Sequence, residues 1–210
     1  GAPTRLTTHS ASEMPETFLD NEHVLYTASI QPDVNDSQFP SVQFPQIYSV
    51  STTGGRPKLY SSLAMENLSI SPDGKQLLYN DMKGYEDTWR KHHTSSITRD
   101  IWLCTTDGNR SYRKLTDFNG EDRNPVWKAD GSAYYYLSER DGNFNVYKST
   151  IDGKNTVKIT SHPKHPVRFL TTSNDGKLCY GYDGEIYTVT EGSQPAKVSV
   201  AITSDITEQK

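Results

Sequence analysis

The sequence predicts an all-β chain, a β-propeller of four-stranded antiparallel blades, and three observations predict it. First, one pattern is written four times: FLDNEHVLY (18–26), SPDGKQLLY (71–79), KADGSAYYY (128–136) and SNDGKLCY (173–180). Each is followed by a second beat: QIYSVSTTGG (46–55), DIWLCTTDG (100–108), NVYKSTIDG (145–153) and EIYTVTEGS (185–193). Recurrence at this length is the signature of stacked or radial repeats. Second, turn residues separate all the short apolar runs. Asp-Gly accepts the positive φ of tight hairpins, so each break reads as an antiparallel reversal. Third, no stretch sustains a 3.6-residue apolar period, so helix content is expected near zero. The 13 tyrosines against six Phe and three Trp suit thin sheet layers, because a tyrosine ring packs while its hydroxyl reaches water. An apolar fraction of 33% and a mean hydropathy of −0.75 are low for a single thick core.

Taken in order, the first blade (13–61) is expected to hold Glu16–Leu19, His23–Ala28, Gln46–Ser51 and Pro57–Tyr60. The second (65–117) holds Asn67–Ser71, Gln76–Asn80, Asp100–Thr105 and Arg113–Thr116, with Pro72 fixing φ ahead of its first turn. The third (121–161) holds Asn124–Lys128, Ala133–Ser138, Phe144–Thr150 and Thr156–Thr160, punctuated by Asp130-Gly131, Asp141-Gly142 and Asp152-Gly153. The fourth (165–201) holds Val167–Thr171, Leu178–Tyr182, Glu185–Thr190 and Ala196–Val200, and 202–210 reads as a tail or linker. A β-sandwich also has evenly spaced short strands, but it does not repeat one turn-and-aromatic grammar four times.

Thr4-Arg5-Leu6-Thr7 matches the closing runs Arg113-Lys114-Leu115-Thr116 and Val157-Lys158-Ile159-Thr160. Residues 3–8 therefore read as the last strand of a missing blade. About four blades are then an open fragment of a larger ring, whose raw blade faces favour an open arc or self-association.

The net charge of −4, with no long basic run, gives no electrostatic case for nucleic acid. No stretch approaches the roughly 20 apolar residues of a membrane span. The opening Gly-Ala-Pro-Thr lacks Met and a signal peptide, and reads as a mature form or an excised segment with Gly1 as a cloning remnant. Cys104 and Cys179 fall in strands of different repeats. Two buried thiols is the favoured reading, with a disulfide across repeats left open.

The SPDGK…YLSERDG…NVY…IDG…KIT pattern resembles the repeats of TolB and of tricorn-type proteases. Over KGYEDTWRKHHTSSITRD (83–100), LTDFNGEDRNPV (115–126) and His165–Tyr187 the chain resembles the first, six-bladed propeller of bacterial tricorn-like serine peptidases. The bare repeat is shared by many propellers; the long KHHTSS insert is the specific part. The resemblance implies blades three to six, a periplasmic or secreted location, and catalytic residues downstream that no residue here matches. It also implies other domains of the same polypeptide and peptide substrates as partners, with no cofactor.

Candidate functional residues lie in what does not repeat. The insert at 81–99 carries Tyr85, Trp89, Arg90, His92 and His93, and loops of that length in a compact repeat are usually binding elements or disordered. A metal at His92-His93 is disfavoured, because adjacent side chains in extended backbone point apart. Ser95 and Ser96 with His92 and Asp100 supply the residue types of a triad, but without a G-x-S-x-G context a loop network is the better account. A second insert, Gln31–Phe44, also joins second and third strands, so both are expected on one face. Arg123 and Arg168 fall in or beside the innermost strands, where arginines could engage peptide carboxylates. Two functions are therefore weighed: a non-catalytic propeller serving assembly and peptide gating for a peptidase, and a stand-alone TolB-like interaction propeller.

Overall fold

The computed structural model describes residues 2–9, 12–30, 45–84, 87, 89–90, 92, 94–201 and 203. The second insert, 31–44, lies outside them. Sixteen strands form four separate antiparallel sheets of four, each a meander in chain order, and the described residues contain no helix. Blade 1 comprises β1 (Glu13–Phe18), β2 (His23–Ala28), β3 (Gln46–Ser51) and β4 (Lys58–Ser61). Blade 2 comprises β5 (Met65–Ile70), β6 (Gln76–Asp81), β7 (Ile101–Thr105) and β8 (Tyr112–Lys114). Blade 3 comprises β9 (Asp122–Trp127), β10 (Ala133–Ser138), β11 (Asn145–Thr150) and β12 (Thr156–Lys158). Blade 4 comprises β13 (Arg168–Thr172), β14 (Leu178–Tyr182), β15 (Glu185–Val189) and β16 (Ala196–Lys197).

The first turn of each later blade is built by one device. In blade 2, Asp73 Oδ1 accepts from Ser71 Oγ (2.6 Å) and from the Lys75 N–H (3.1 Å), while the Gly74 N–H closes on the Ser71 carbonyl (2.8 Å). In blade 3 the same closure runs from the Gly131 N–H to the Lys128 carbonyl, with Asp130 Oδ1 accepting from the Ser132 N–H. Gly131 sits at φ +71, a conformation that a residue with a Cβ adopts only under strain.

Period-two alternation then sorts each strand between two neighbours. In β6, Leu77 and Tyr79 face blade 1, where they meet Leu25 and Ile47, while Leu78 faces blade 3. In β10, Tyr134 and Tyr136 pack on Leu78, Ile101 and Leu103 of blade 2. Tyr135 and Leu137 instead meet Leu170, Leu178 and Tyr180 of blade 4. The core is thus three inter-blade layers rather than one centre, as the low apolar fraction anticipates. The inner strands β5, β9 and β13 touch in succession and β1 joins at β5, which places them along the propeller axis.

Strand bounds deviate in two regular ways. Inner strands β5 and β9 begin two residues earlier than expected, because charged residues such as Glu66 and Arg123 continue the pairing into a buried rim. The closing strands β8, β12 and β16 stop early; each pairs on one side only and is exposed throughout. Thr4–Thr7 forms no strand with the described residues; a closing strand needs the third strand of its own blade beside it. Leu6 packs instead against Tyr26, Ala28, Tyr48 and Val50 on the outer face of blade 1. Cys104 and Cys179 are free thiols, and burial pushes Cys104 up to about 11.

Candidate functional site

Three features converge on one end of the axis. At the axis itself, every inner strand carries a β-bulge at the same register. In blades 2, 3 and 4 its first residue is left-handed: Asn67 (φ 55), Asn124 (φ 53) and Phe169 (φ 57). Asparagine tolerates this region; a bulky phenylalanine there is a genuine outlier. The bulge turns a side chain toward the next blade. Asn124 Oδ1 accepts from the Leu170 N–H (2.9 Å) and its Nδ2 donates to the Leu170 carbonyl (3.0 Å). Glu16, at the bulge of β1, accepts from the Leu68 N–H (3.3 Å). At the corresponding place opposite Asn67 stands Pro125, which has no N–H to offer. A cavity of about 370 Å³ opens here, lined by Glu16, Asn67, Ser69, Asn124, Phe169 and Thr171. Burial pushes the Glu16 carboxyl up to about 7; the Leu68 N–H opposes this and the neighbouring Glu66 charge adds to it.

Above the axis lies a buried charged rim. Arg99, 3% exposed, donates from Nε to Glu66 (2.6 Å) and from the other side approaches Glu121 (3.5 Å). Arg123 donates to the same Glu121 (3.2 Å) and lies over the Phe144 ring at 4.3 Å. Burial is the main influence lowering the Arg123 pKa, with Glu121 opposing it. Asp122 is fully buried against Arg140 (3.2 Å), and burial pushes its carboxyl up to about 6. Arg123, expected beside the channel, is therefore in an inner strand but committed to a buried network.

The β6–β7 insert covers this rim. Its foot is fixed by Lys83, which donates to the Thr98 carbonyl (2.6 Å) and pairs with Asp100 (2.5 Å). Asp87 shapes the tip, since its Oδ1 accepts from the Trp89 N–H (2.9 Å) and its carbonyl from the Arg90 N–H (3.0 Å). The His92 N–H donates to Glu139 of blade 3 (2.6 Å). Arg168 of blade 4 donates to the Trp89 carbonyl (3.1 Å) and stacks its guanidinium on the indole at 4.6 Å. A cleft of about 490 Å³ lies beside this contact, lined by Trp89, His165, Arg168, Phe169, Tyr182 and Asp183. Tyr85 and His93 lie outside the described residues. Ser95 Oγ accepts from the Ile97 N–H (3.2 Å), and Asp100 is held by Lys83 and Lys114, so these groups serve the loop and do not assemble a triad with His92. Among the described residues no three His, Cys, Asp or Glu side chains converge as metal ligands, and no helix is long and apolar enough to cross a membrane.

Residues 1–195 match the tricorn protease N-terminal beta propeller domain. The chain belongs to that family. Among curated proteins, this tricorn-family propeller is 24% identical over 157 residues to a tricorn protease homolog of Saccharolobus solfataricus, covering 73% of this chain and 14% of the relative. The chain thus spans about a seventh of that relative's length. Among solved structures it resembles a putative TolB from Agrobacterium tumefaciens, with TM-score 0.63, 18% identity and coverage of 88% of this chain and 79% of that one. It also resembles the crystal structure of the tricorn protease, with TM-score 0.57, 14% identity and coverage of 95% and 24%. At such identities the two structures speak for the fold alone.

Within this tricorn-family propeller, Trp89, His92 and Arg168 are brought to one surface; Arg90 sits on the same insert, and Arg123 lies beneath. Sequence reading missed Glu121, Glu66 and Arg99 as a connected network, and Phe169 as the strained residue at the axis. A usable signal existed for Phe169: aligning the inner strands puts it where the second and third blades have Asn67 and Asn124.

Proposed function

We propose that this chain is a non-catalytic propeller region of a secreted or periplasmic tricorn-like serine peptidase, serving assembly and the binding or gating of peptides for a catalytic domain elsewhere in the polypeptide. The carrying observation is the family match over residues 1–195. Supporting it, one end of the axis joins a cavity, a buried ionic rim and an aromatic insert, a combination suited to contacting extended polar chains. Partners on this reading are the other domains of the polypeptide, peptides, and further copies of the chain through the outward blade faces, where Phe18 and Phe169 are exposed.

The experiment is a titration of the purified chain with fluorescent peptides of mixed sequence, beside a peptidase assay. Binding without hydrolysis, weakened by replacing Arg168 with alanine, is the expected result. Turnover by the chain alone, or peptide affinity unchanged in Arg168→Ala, would sink the reading. A second reading, a TolB-like interaction propeller with no enzyme attached, is favoured by the likeness to the putative TolB, which spans 79% of that chain. Capture of a protein partner by the chain, lost on deleting residues 83–98 and unaccompanied by peptide binding, would select it.

A further inference from the structure

The β6–β7 insert leaves and re-enters blade 2, yet its tip makes its contacts in blades 3 and 4. We propose that it is an intramolecular strap, running from blade 2 across the rim of blade 3 and clipping blade 4 through Trp89. Four observations carry this. Arg168 and Trp89 are 79 positions apart in sequence and are joined twice, by the 3.1 Å bond to the Trp89 carbonyl and by the guanidinium stacked on the indole. The Trp89 ring also meets the Phe169 ring edge-on at 6.3 Å. The strap is held midway by the His92 N–H on Glu139, and its tip is preformed by Asp87.

Phe169 explains itself on this reading. Asparagine would suit its left-handed backbone, as at Asn67 and Asn124, but asparagine offers no ring edge to the indole. Blade 4 has the greatest use for such a clip. Apart from the Trp89–Phe169 ring pair, its described apolar contacts are to blade 3 alone, and a unit stacked on one described neighbour is the first to open locally. The stacked guanidinium and the edge-on ring pair tie it to a second point.

The test is amide hydrogen exchange on the full chain. Trp89→Ala should speed exchange in β13, β14 and β15 by about tenfold, leaving β2, β3 and β6 at their original rates. Trp89→Phe should restore part of the protection. Phe169→Asn supplies a variant whose backbone is more comfortable, so it folds; loss of the ring should nonetheless speed exchange in blade 4. Wild-type exchange in blade 4 of Trp89→Ala overturns the strap, as does equal acceleration in all four blades. Slower blade 4 exchange in Phe169→Asn would show that relief of strain outweighs the clip, and would overturn it too.

Discussion

Blades 3 and 4 are written in the same grammar and end in different environments. In blade 3 the strand AYYYLS is buried at all six positions, because Tyr134 and Tyr136 face one neighbour and Tyr135 and Leu137 the other. In blade 4 the equivalent strand LCYGY is buried only at Leu178 and Tyr180, and Ile186 on the blade's outer face is 46% exposed. A blade has two apolar faces but supplies partners for neither. Burial in this architecture is therefore a property of position in the stack. The polar device at the axis shows the same dependence. Asn124 of blade 3 has Leu170 to bond, whereas Phe169 of blade 4 projects past the last inner strand and is 69% exposed.

The comparison can be broken most forcefully in the middle. Tyr136→Ala should cost about 3–5 kcal/mol in a urea melt, since it deletes a fully enclosed ring and leaves a cavity. Tyr182→Ala in blade 4 removes the same atoms from a half-buried site stacked on His162, and should cost about 1 kcal/mol. Equal losses would refute the positional account of burial. Next in size, Asn124→Ala removes both bonds to Leu170 and places a Cβ-bearing residue without a compensating amide at φ 53. A loss of about 2 kcal/mol is expected, with accelerated amide exchange at Leu170.

A third prediction concerns pH. Glu16 of blade 1 and Asp122 of blade 3 both bind their proton more tightly folded than unfolded, with folded values of about 7 and about 6 against ordinary values of 4.5 and 3.8. Their contribution is complete below the unfolded values and disappears as pH rises through the folded ones, so stability should decline from about pH 3.8 to about pH 7. The turn aspartates act in the opposite sense. Asp73, Asp152 and Asp175 are lowered chiefly by hydrogen bonds from Ser71, Thr150 and Ser173, and their contribution is lost only as pH falls below the ordinary carboxylate range. Thermal melts of Glu16→Gln across pH 4–8 should show a shallower decline; an unchanged slope would remove Glu16 from the account. The smallest effect is expected at the outer face of blade 4. Ile186→Ser should change unfolding free energy by less than about 0.5 kcal/mol while lowering concentration-dependent association in sedimentation, as befits an exposed side chain.

Where the sequence was legible, a turn stood beside the element. β10 and β14 fall at the residues expected, each bounded by hairpin chemistry at both ends, and β2 and β3 do so with a tight turn at one end. The starts of β5 and β9 were not legible. Glu66 and Asp122 look like surface residues until Arg99 and Arg140 arrive from distant segments to neutralise them, and Arg123 until it is buried with its chain neighbour Glu121. The insert was legible as an exception to the repeat, and Trp89 as one of its candidate binding residues. Its target was not, since nothing near Trp89 in the chain specifies Arg168.

The sequence by itself determined the number of blades, the meander within each, and the alternation that gives every middle strand two apolar faces. Asp-Gly turns and period-two patterning act over a few residues, so they survive reading along a line. Only the tertiary structure decided which tyrosines are enclosed, which arginine is spent on a buried carboxylate, and where the insert lands. Those outcomes depend on burial that arises only when blades stack, even for chain neighbours such as Glu121 and Arg123, and desolvation and ion pairing have no meaning until they do.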